Sequence, residues 1–290
     1  MSVSERPQDI VKALILYGLS DFHLTPLPTK MSSVRRCASF RVDVGQSTIL
    51  KARRMKNETA AQRQQALRVD LPCAFAPILF RCGAVLLEKW IVGRPLHEVP
   101  FMLHKTHIRQ AAELLSVLHA WPTAGETVLP LPGDITGLRE DVVSSLSNLR
   151  ATGNLDGTTA NRLIKIVETS APEETSHCLI HTDLCGENLV VDSTGRLFVI
   201  DNEHFRVGPA GLDLARSWYR WGWYQKGHFP TAWNVFREAY ETCGGRQDAL
   251  MHEPFWRISA AAISARLRTH GAAADEPIHC LRTIACTAAP

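Results

Sequence analysis

Five side chains that could do chemistry lie between residues 181 and 203, where polar residues interrupt the apolar runs of HTDLCGENLVVDSTGRLFVIDNE. They are His181, Asp183, Asn188, Asp201 and Glu203. Asp183 and Asn188 stand at either end of a loop, and Asp201 follows the next apolar strand. If the two segments lie side by side, their oxygens form a hard ligand set that suits Mg²⁺ bound partly through phosphate better than Zn²⁺. Spacing alone leaves a general base, a pair of metal ligands and a structural histidine as open interpretations.

Strand patterns dominate the first ninety residues. Alternating apolar residues over 40–44 and a β-rich run over 48–52, with Gly45 between them, predict a hairpin. Two more short strands on either side of Gly83 and a helix over 58–69 complete a small sheet with one helix, preceded by an amphipathic helix over 4–19.

Helical patterns dominate the rest of the chain, interrupted by the short strands around residues 178–201. The predicted helices cover 107–121, 139–153, 157–169, 212–224, 230–243, 253–270 and 276–287. The order of elements therefore predicts an α+β fold with a sheet-rich beginning and a helical remainder.

Composition narrows the classes of partner. A formal net charge of +3 and the absence of a long run of like charges argue against a nucleic-acid-binding protein. The chain has no stretch of eighteen apolar residues and no leader pattern, so we expect a cytoplasmic protein without a membrane partner. Eight cysteines without a C-x-x-C pair indicate neither a disulfide framework nor a zinc site.

The order H-x-D-x-x-x-x-N, followed by a strand that ends in I-D, resembles the aminoglycoside phosphotransferase and choline kinase family. That family commonly reads H-G-D-L-H-x-x-N and then I-D-x-E, where this chain reads HTDLCGEN over 181–188 and IDNE over 200–203. GPAGLDLAR over 208–216 is similar to the family segment G-x-P-x-x-D-L-A. LLEKWIVGRPL over 86–96 is similar to the strand and hinge that join its lobes.

The resemblance implies a bilobal protein-kinase-like fold. It implies a nucleotide-binding lobe over 1–91 with a small antiparallel sheet and one helix, and a hinge at about 88–94. A mostly helical lobe over 92–290 would carry the catalytic and acceptor-binding residues.

The resemblance also implies an ATP-dependent and Mg²⁺-dependent kinase that moves the γ-phosphate to a hydroxyl of a small molecule. Asp183 would be the catalytic base and His181 would brace its loop. Asn188 and Asp201 would hold the magnesium ion, and Glu203 would assist through contacts with the metal or the substrate.

On the nucleotide side, the resemblance implies that Lys51 binds the α- and β-phosphates, while the alternative is a solvated lysine on an edge strand. Ser33 would let the backbone approach phosphate, or would belong to an ordinary turn. Glu58 would pair with Lys51 or serve as a charge at a helix N-terminus. The backbone groups of Glu88 and Trp90 would bind the adenine.

The chain departs from the family pattern at a few positions. Thr182 stands where the motif commonly has glycine, and Cys185 stands where it commonly has a second histidine. The position that best resembles the family's helix glutamate holds glutamine, in Gln64 and Gln65. The changes at Thr182 and Cys185 remove no catalytic group, whereas the glutamine leaves the acidic partner of Lys51 open. Asp213 would keep the structural role of tying a helix start to the catalytic loop through backbone N–H groups.

Acceptor specificity is expected beyond residue 201, where acidic and basic residues nearly balance and so weaken the case for a polycationic antibiotic. Trp218 and Trp221 are candidates for an acceptor pocket, while their helical spacing favours core packing for most rings of this segment. Arg216 and Arg220 would bind an anionic substrate or pair with acids.

Two alternatives to a small-molecule kinase remain. The first is an inactive kinase-like scaffold that binds a nucleotide and regulates a partner. The second is a protein kinase, which is disfavoured because the segment after Asp201 reaches GPAGLDLA without a long activation loop.

Overall fold

The computed structural model of this protein describes most of the chain. The described residues are 7–27, 38–70, 75–99, 104–121, 134–200, 205–222, 231–267 and 275–287. Ser33, Asp201 and Glu203, three of the predicted site residues, lie outside these ranges.

The chain forms two compact units. The first contains Met1–Arg94 together with Val190–Glu203, and the second contains Pro95–Leu189 together with His204–Pro290. The sequence-based division had placed residues 190–203 in the second lobe. The functional division into 1–91 and 92–290 stays a prediction.

The first unit is built on a five-stranded antiparallel sheet in the order β1-β2-β3-β5-β4. Its strands are β1 (His23–Pro26), β2 (Ala38–Val44), β3 (Ser47–Arg54), β4 (Ile78–Cys82) and β5 (Val85–Lys89). Glycines with positive φ turn both tight hairpins, Gly45 at +59° and Gly83 at +54°, a backbone region that glycine enters without steric cost. The predicted hairpin lies within β2 and β3.

Each face of this sheet buries apolar side chains beside a helix. On one face, Leu50 and Ala52 of β3 pack with Ile10 and Leu14 of α1 (Gln8–Leu16). On the other face, Ala61 of α2 (Glu58–Asp70) packs in a smaller cluster with Met55 and Leu86. Because side chains alternate along a strand, Lys51 and Arg53 share the face opposite to Leu50 and Ala52.

Helices make up most of the second unit. They are α3 (His104–Ala120), α4 (Ile135–Ala151), α5 (Gly157–Ser170), α6 (Ala210–Gly222), α7 (Thr231–Thr242), α8 (Gln247–Met251), α9 (Glu253–Leu267) and α10 (Asp275–Thr287). Asp134 and Asp156 cap α4 and α5 by accepting N–H bonds at 2.8 Å from Gly137 and Thr159.

Two small sheets frame the predicted catalytic loop. β7 (His177–Ile180) pairs antiparallel with β10 (Arg206–Pro209). β8 (Leu189–Asp192) lies between β6 (Gly93–Pro95) and β9 (Leu197–Val199). The loop at 181–188 therefore runs from the end of β7 to the start of β8.

The predicted α+β fold class is confirmed, with an antiparallel sheet in the N-terminal region and helices in the C-terminal region. Each predicted helix has a counterpart whose described bounds differ mainly by a few residues at the ends. β1, β6, β10 and α8 were not predicted, because they have only three to five residues and too little sequence to show a period. Within the described ranges, no helix combines the length and apolar character that a membrane crossing requires.

Candidate active site

Asp183 and Asn188 are joined by direct hydrogen bonds across the loop between β7 and β8. Asn188 Nδ2 donates to the backbone oxygen of Asp183 at 2.9 Å and to its Oδ2 at 3.1 Å. The Asp183 side chain is 36% exposed, so its carboxylate can reach a ligand. The two residues that the motif singled out are thus brought together on one loop.

His181 lies behind this pair and is completely buried. Its Nδ1 accepts the backbone N–H of Asp183 at 3.3 Å, and its ring packs edge-on against Phe205 with centroids 5.3 Å apart. A ring held on one side and bonded to the loop on the other restricts the backbone that carries Asp183. This placement suits the bracing role expected for His181.

Asp213, in the first turn of α6, fixes the backbone at the start of the loop. Its two carboxylate oxygens accept the backbone N–H groups of His181 and Thr182, both at 2.7 Å, which confirms the predicted structural role. Burial alone would raise the pKa of Asp213, but the hydrogen bond and charge of His119 and the N–H of His181 hold it below its ordinary value. The buried carboxylate of Asp213 therefore stays ionised, and its charge is balanced by these hydrogen bonds and by His119.

Asp213 is itself held by residues on other helices of the second unit, which the sequence analysis did not identify. His119 Nε2 lies 3.2 Å from Asp213 Oδ2, and His119 Nδ1 lies 2.6 Å from the hydroxyl of Tyr240. That hydroxyl accepts the N–H of Arg246 at 3.0 Å. The only sequence signal was a lone histidine near the end of an apolar helix, which by itself does not identify its partners.

Thr182 adopts a left-handed backbone conformation with φ at +69°, the only non-glycine residue with positive φ in the described chain. The family motif commonly has glycine at this position, and the observed φ gives the physical reason. A β-branched residue is strained there. The backbone bond from Thr182 to Asp213 helps to hold this conformation.

Arg220 of α6 places a cation beside the candidate base. Its Nε lies 3.4 Å from Asp183 Oδ1, and its Nη2 forms an ion pair with Glu187 and lies 3.3 Å from Cys185 Sγ. Burial alone would lower the pKa of Arg220, but the Cys185 sulfur, which accepts a hydrogen bond from Nη2, and the carboxylates of Asp183 and Glu187 raise it. Of the two roles expected for this arginine, the structure shows the pairing with acids. Burial also raises the pKa of Cys185 to about 12, so its thiol stays protonated at neutral pH.

The oxygens of the loop fit a magnesium ion. Because Nδ2 of Asn188 points at Asp183, its Oδ1 is left without a hydrogen bond from the described residues. Amide and carboxylate oxygens are suitable Mg²⁺ ligands, and one or two of them suffice when phosphates supply the others. Asp201, the second expected ligand, lies outside the described residues.

Lys51 lies on β3, as predicted, and is half-buried. Its Nζ donates to the backbone oxygen of Ile200 at 3.4 Å, directly before the position of Asp201. Glu58 is not placed as its partner, because Glu58 Oε1 accepts from Arg81 at 3.0 Å and its side chain is 60% exposed. The interpretation of Glu58 as a charge in the first turn of α2 is therefore the one that fits.

The expectation that Glu88 and Trp90 offer backbone groups to adenine stays a prediction, although strand pairing already occupies some of those groups. Glu88 lies in β5 with Lys51 opposite it on one side and Ile78 on the other, so its backbone faces neighbouring strands. The N–H of Trp90 donates to the oxygen of Ile49 at 3.2 Å. The side chain of Glu88, which sequence reasoning ignored, is instead buried between two arginines.

The two tryptophans proposed for the acceptor pocket are packing residues. Trp221 is 1% exposed and donates its indole N–H to the oxygen of Leu184 at 3.1 Å. Trp218 is 3% exposed and lies under the guanidinium of Arg257. Helical spacing places both rings in the core between helices, which favours packing, and the expectation of substrate contact stays a prediction. Arg216 is half-buried in the same helix.

The sequence from residue 45 to residue 245 matches the family described as Phosphotransferase enzyme family. The chain belongs to this family. Membership confirms the family resemblance and the expected enzyme class of small-molecule phosphotransferase. No curated protein sequence matches the chain.

Solved structures similar to this phosphotransferase family member share its fold at low identity. A choline/ethanolamine kinase family protein from Mesorhizobium loti is 16% identical with a TM-score of 0.61, over 97% of this chain and 95% of that one. Macrolide 2'-phosphotransferase MphH from Brachybacterium faecium is 16% identical with a TM-score of 0.60, over 95% and 98%. Spectinomycin phosphotransferase APH(9)-Ia, in complex with ADP and spectinomycin, is 14% identical with a TM-score of 0.65, over 98% and 99%.

Proposed function

We propose that this phosphotransferase moves the γ-phosphate of ATP to a hydroxyl of a small molecule, with Asp183 as the catalytic base. The observation that carries the proposal is the exposed carboxylate of Asp183, bonded to Asn188 on a loop that Asp213 fixes. Phosphoryl transfer passes through a loose transition state, so the protein contributes mainly positioning and neutralisation of charge. A rigid loop with one accessible carboxylate suits that task.

Each loop residue has a defined part in this proposal. Asp183 accepts or orients the proton of the attacking hydroxyl, and His181 keeps the Asp183 backbone in place. Asn188 Oδ1 and Asp201 would hold Mg²⁺, which when bound neutralises the phosphate oxygens. Lys51 supplies a further cation for the phosphates. In this scheme residues 1–91 bind the nucleotide and residues 92–290 bind the acceptor.

The charge around Asp183 favours an acceptor whose reacting hydroxyl is not surrounded by ammonium groups. Arg220 already neutralises Asp183 and Glu187, and Arg216 lies on the same helix. A cationic acceptor would have to approach these arginines, at a Coulomb cost of about 1 kcal/mol in water and more where solvent is excluded. The similar structures include enzymes named for choline, macrolide and spectinomycin substrates, which supply a first panel of hydroxyl compounds.

The test is a nucleotide-consumption screen over neutral sugars, macrolides, choline-like amines and aminoglycosides, with mass measurement of each product. We expect one class to gain the mass of a phosphoryl group in wild-type protein and not in Asp183→Asn. Retained ADP binding in that variant would separate a lost base from a lost nucleotide site. Nucleotide binding without turnover on any acceptor, unchanged by Asp183→Asn, would instead favour the regulatory scaffold.

A further inference from the structure

Two cations of β3 meet the same backbone oxygen in the first unit. Lys51 Nζ donates to the oxygen of Ile200 at 3.4 Å, and Arg53 Nη2 donates to that oxygen at 3.2 Å. Ile200 is the last described residue before Asp201, the expected magnesium ligand. The two side chains therefore hold the end of the segment that leads into the metal site.

Arg53 is locked in place by a buried acid. Its Nε lies 3.5 Å from Glu88 Oε1 on β5, and Arg68 Nη2 of α2 lies 3.3 Å from the same oxygen. All three side chains are at most 3% exposed. Burial alone would raise the pKa of Glu88, but Arg53, Arg68 and Lys51 hold it below its ordinary value, so Glu88 is ionised.

Arg68 also ties α2 to the segment just before β4, because its Nη1 donates to the oxygen of Ala76 at 2.9 Å. In the family pattern the helix supplies a glutamate and the strand supplies the cation. Here the helix supplies the arginine and β5 supplies the glutamate, so the charges of the helix-to-sheet link are exchanged. In both arrangements a cation on β3 is held by an acid; in this chain the cation is Arg53 and the acid is Glu88 of β5.

We propose that Arg53 is a positioning residue for the metal-bound nucleotide, because it bridges Glu88 and the oxygen of Ile200 and so sets the backbone that continues into Asp201. This inference rests on the proposed function. Arg53 is 1% exposed, whereas Lys51 is half-buried and is the cation proposed above for the phosphates. A guanidinium combines the ion pair to Glu88 with the hydrogen bond from Nη2 to the oxygen of Ile200, because its nitrogens form a rigid planar fork.

The experiment measures ADP binding by calorimetry with and without Mg²⁺ in wild type, Arg53→Lys and Arg54→Lys. Arg53→Lys keeps the charge and removes the bridge, so we expect Mg²⁺-free affinity within about threefold of wild type. We expect the gain in affinity that Mg²⁺ brings to fall by about tenfold or more, as for other groups that orient a metal ligand. Arg54→Lys is the matched control, since Arg54 is the next residue on β3 and pairs with Asp9 near the surface.

The variant Arg53→Met covers the case in which Arg53→Lys does not fold, because Glu88 keeps its buried partner Arg68 and no charge is left unpaired. We expect it to fold and to show the same loss of the Mg²⁺ gain. A full Mg²⁺ gain in either folded variant, or an equal loss with and without Mg²⁺, would overturn the role of Arg53 and leave the proposed function intact. Absence of any Mg²⁺ gain in wild type would overturn both.

Discussion

Thr182 offers a sharp test of the loop geometry, because its backbone is held at φ +69°. Left-handed φ costs a residue with a Cβ about 1–2 kcal/mol, whereas glycine enters it freely. Glycine loses more unfolded-state entropy than alanine, by about 0.5–1 kcal/mol. We therefore expect Thr182→Gly to be more stable than Thr182→Ala by about 0.5–1 kcal/mol. Comparing the two variants cancels the loss of the threonine side chain, which both share.

The assay is equilibrium unfolding in urea, followed by far-UV circular dichroism and tryptophan fluorescence, with coincident transitions required before free energies are compared. With a slope of about 3 kcal/mol/M, the two midpoints should differ by roughly 0.2–0.3 M. Ser147, exposed inside α4, is the control site, where the alanine variant should exceed the glycine variant by about 1 kcal/mol. An alanine variant at 182 as stable as the glycine variant would refute the assigned backbone conformation.

Three further predictions follow from buried contacts. Gly211→Ala should lower the free energy of unfolding by about 1–3 kcal/mol, because a Cβ there would lie 2.2 Å from Trp256 Nε1; unchanged urea midpoints would contradict that packing. Because the folded pKa of Asp213 is depressed, its contribution to stability is present above pH about 4 and is lost as pH falls further. The decrease in the free energy of unfolding on acidification, measured by urea unfolding, should therefore be smaller in Asp213→Asn than in wild type. Arg220→Gln should raise kcat/KM for ammonium-bearing acceptors relative to neutral ones, since it removes the cation beside Asp183; an equal change for both classes would argue against the charge effect.

The predicted order of elements and the predicted proximity of Asp183 and Asn188 are both found in the structure, because both depend on residues that are close in sequence. Helix and strand periods are visible within ten to fifteen residues, and the motif at 181–188 places Asp183 and Asn188 on one short loop. The partner of Lys51 could not be read in this way. Glu58 was one of two open interpretations, as a partner of Lys51 or as a charge at a helix start; it pairs with Arg81, while Glu88 on β5 lies near Lys51.

The amino-acid sequence alone determined the family, the α+β class and the Asp183–Asn188 pair of the loop at 181–188, since each depends on short-range order of residue types. Tertiary structure decided which charges meet: β3 and β5 are neighbours in the sheet although α2 and β4 separate them along the chain. That adjacency places Glu88 between Arg53 and Arg68, while α3 and α6, which both pack against β7, bring His119 to Asp213. Partners separated by tens of residues leave no periodic trace, because their proximity is set by how the elements pack together.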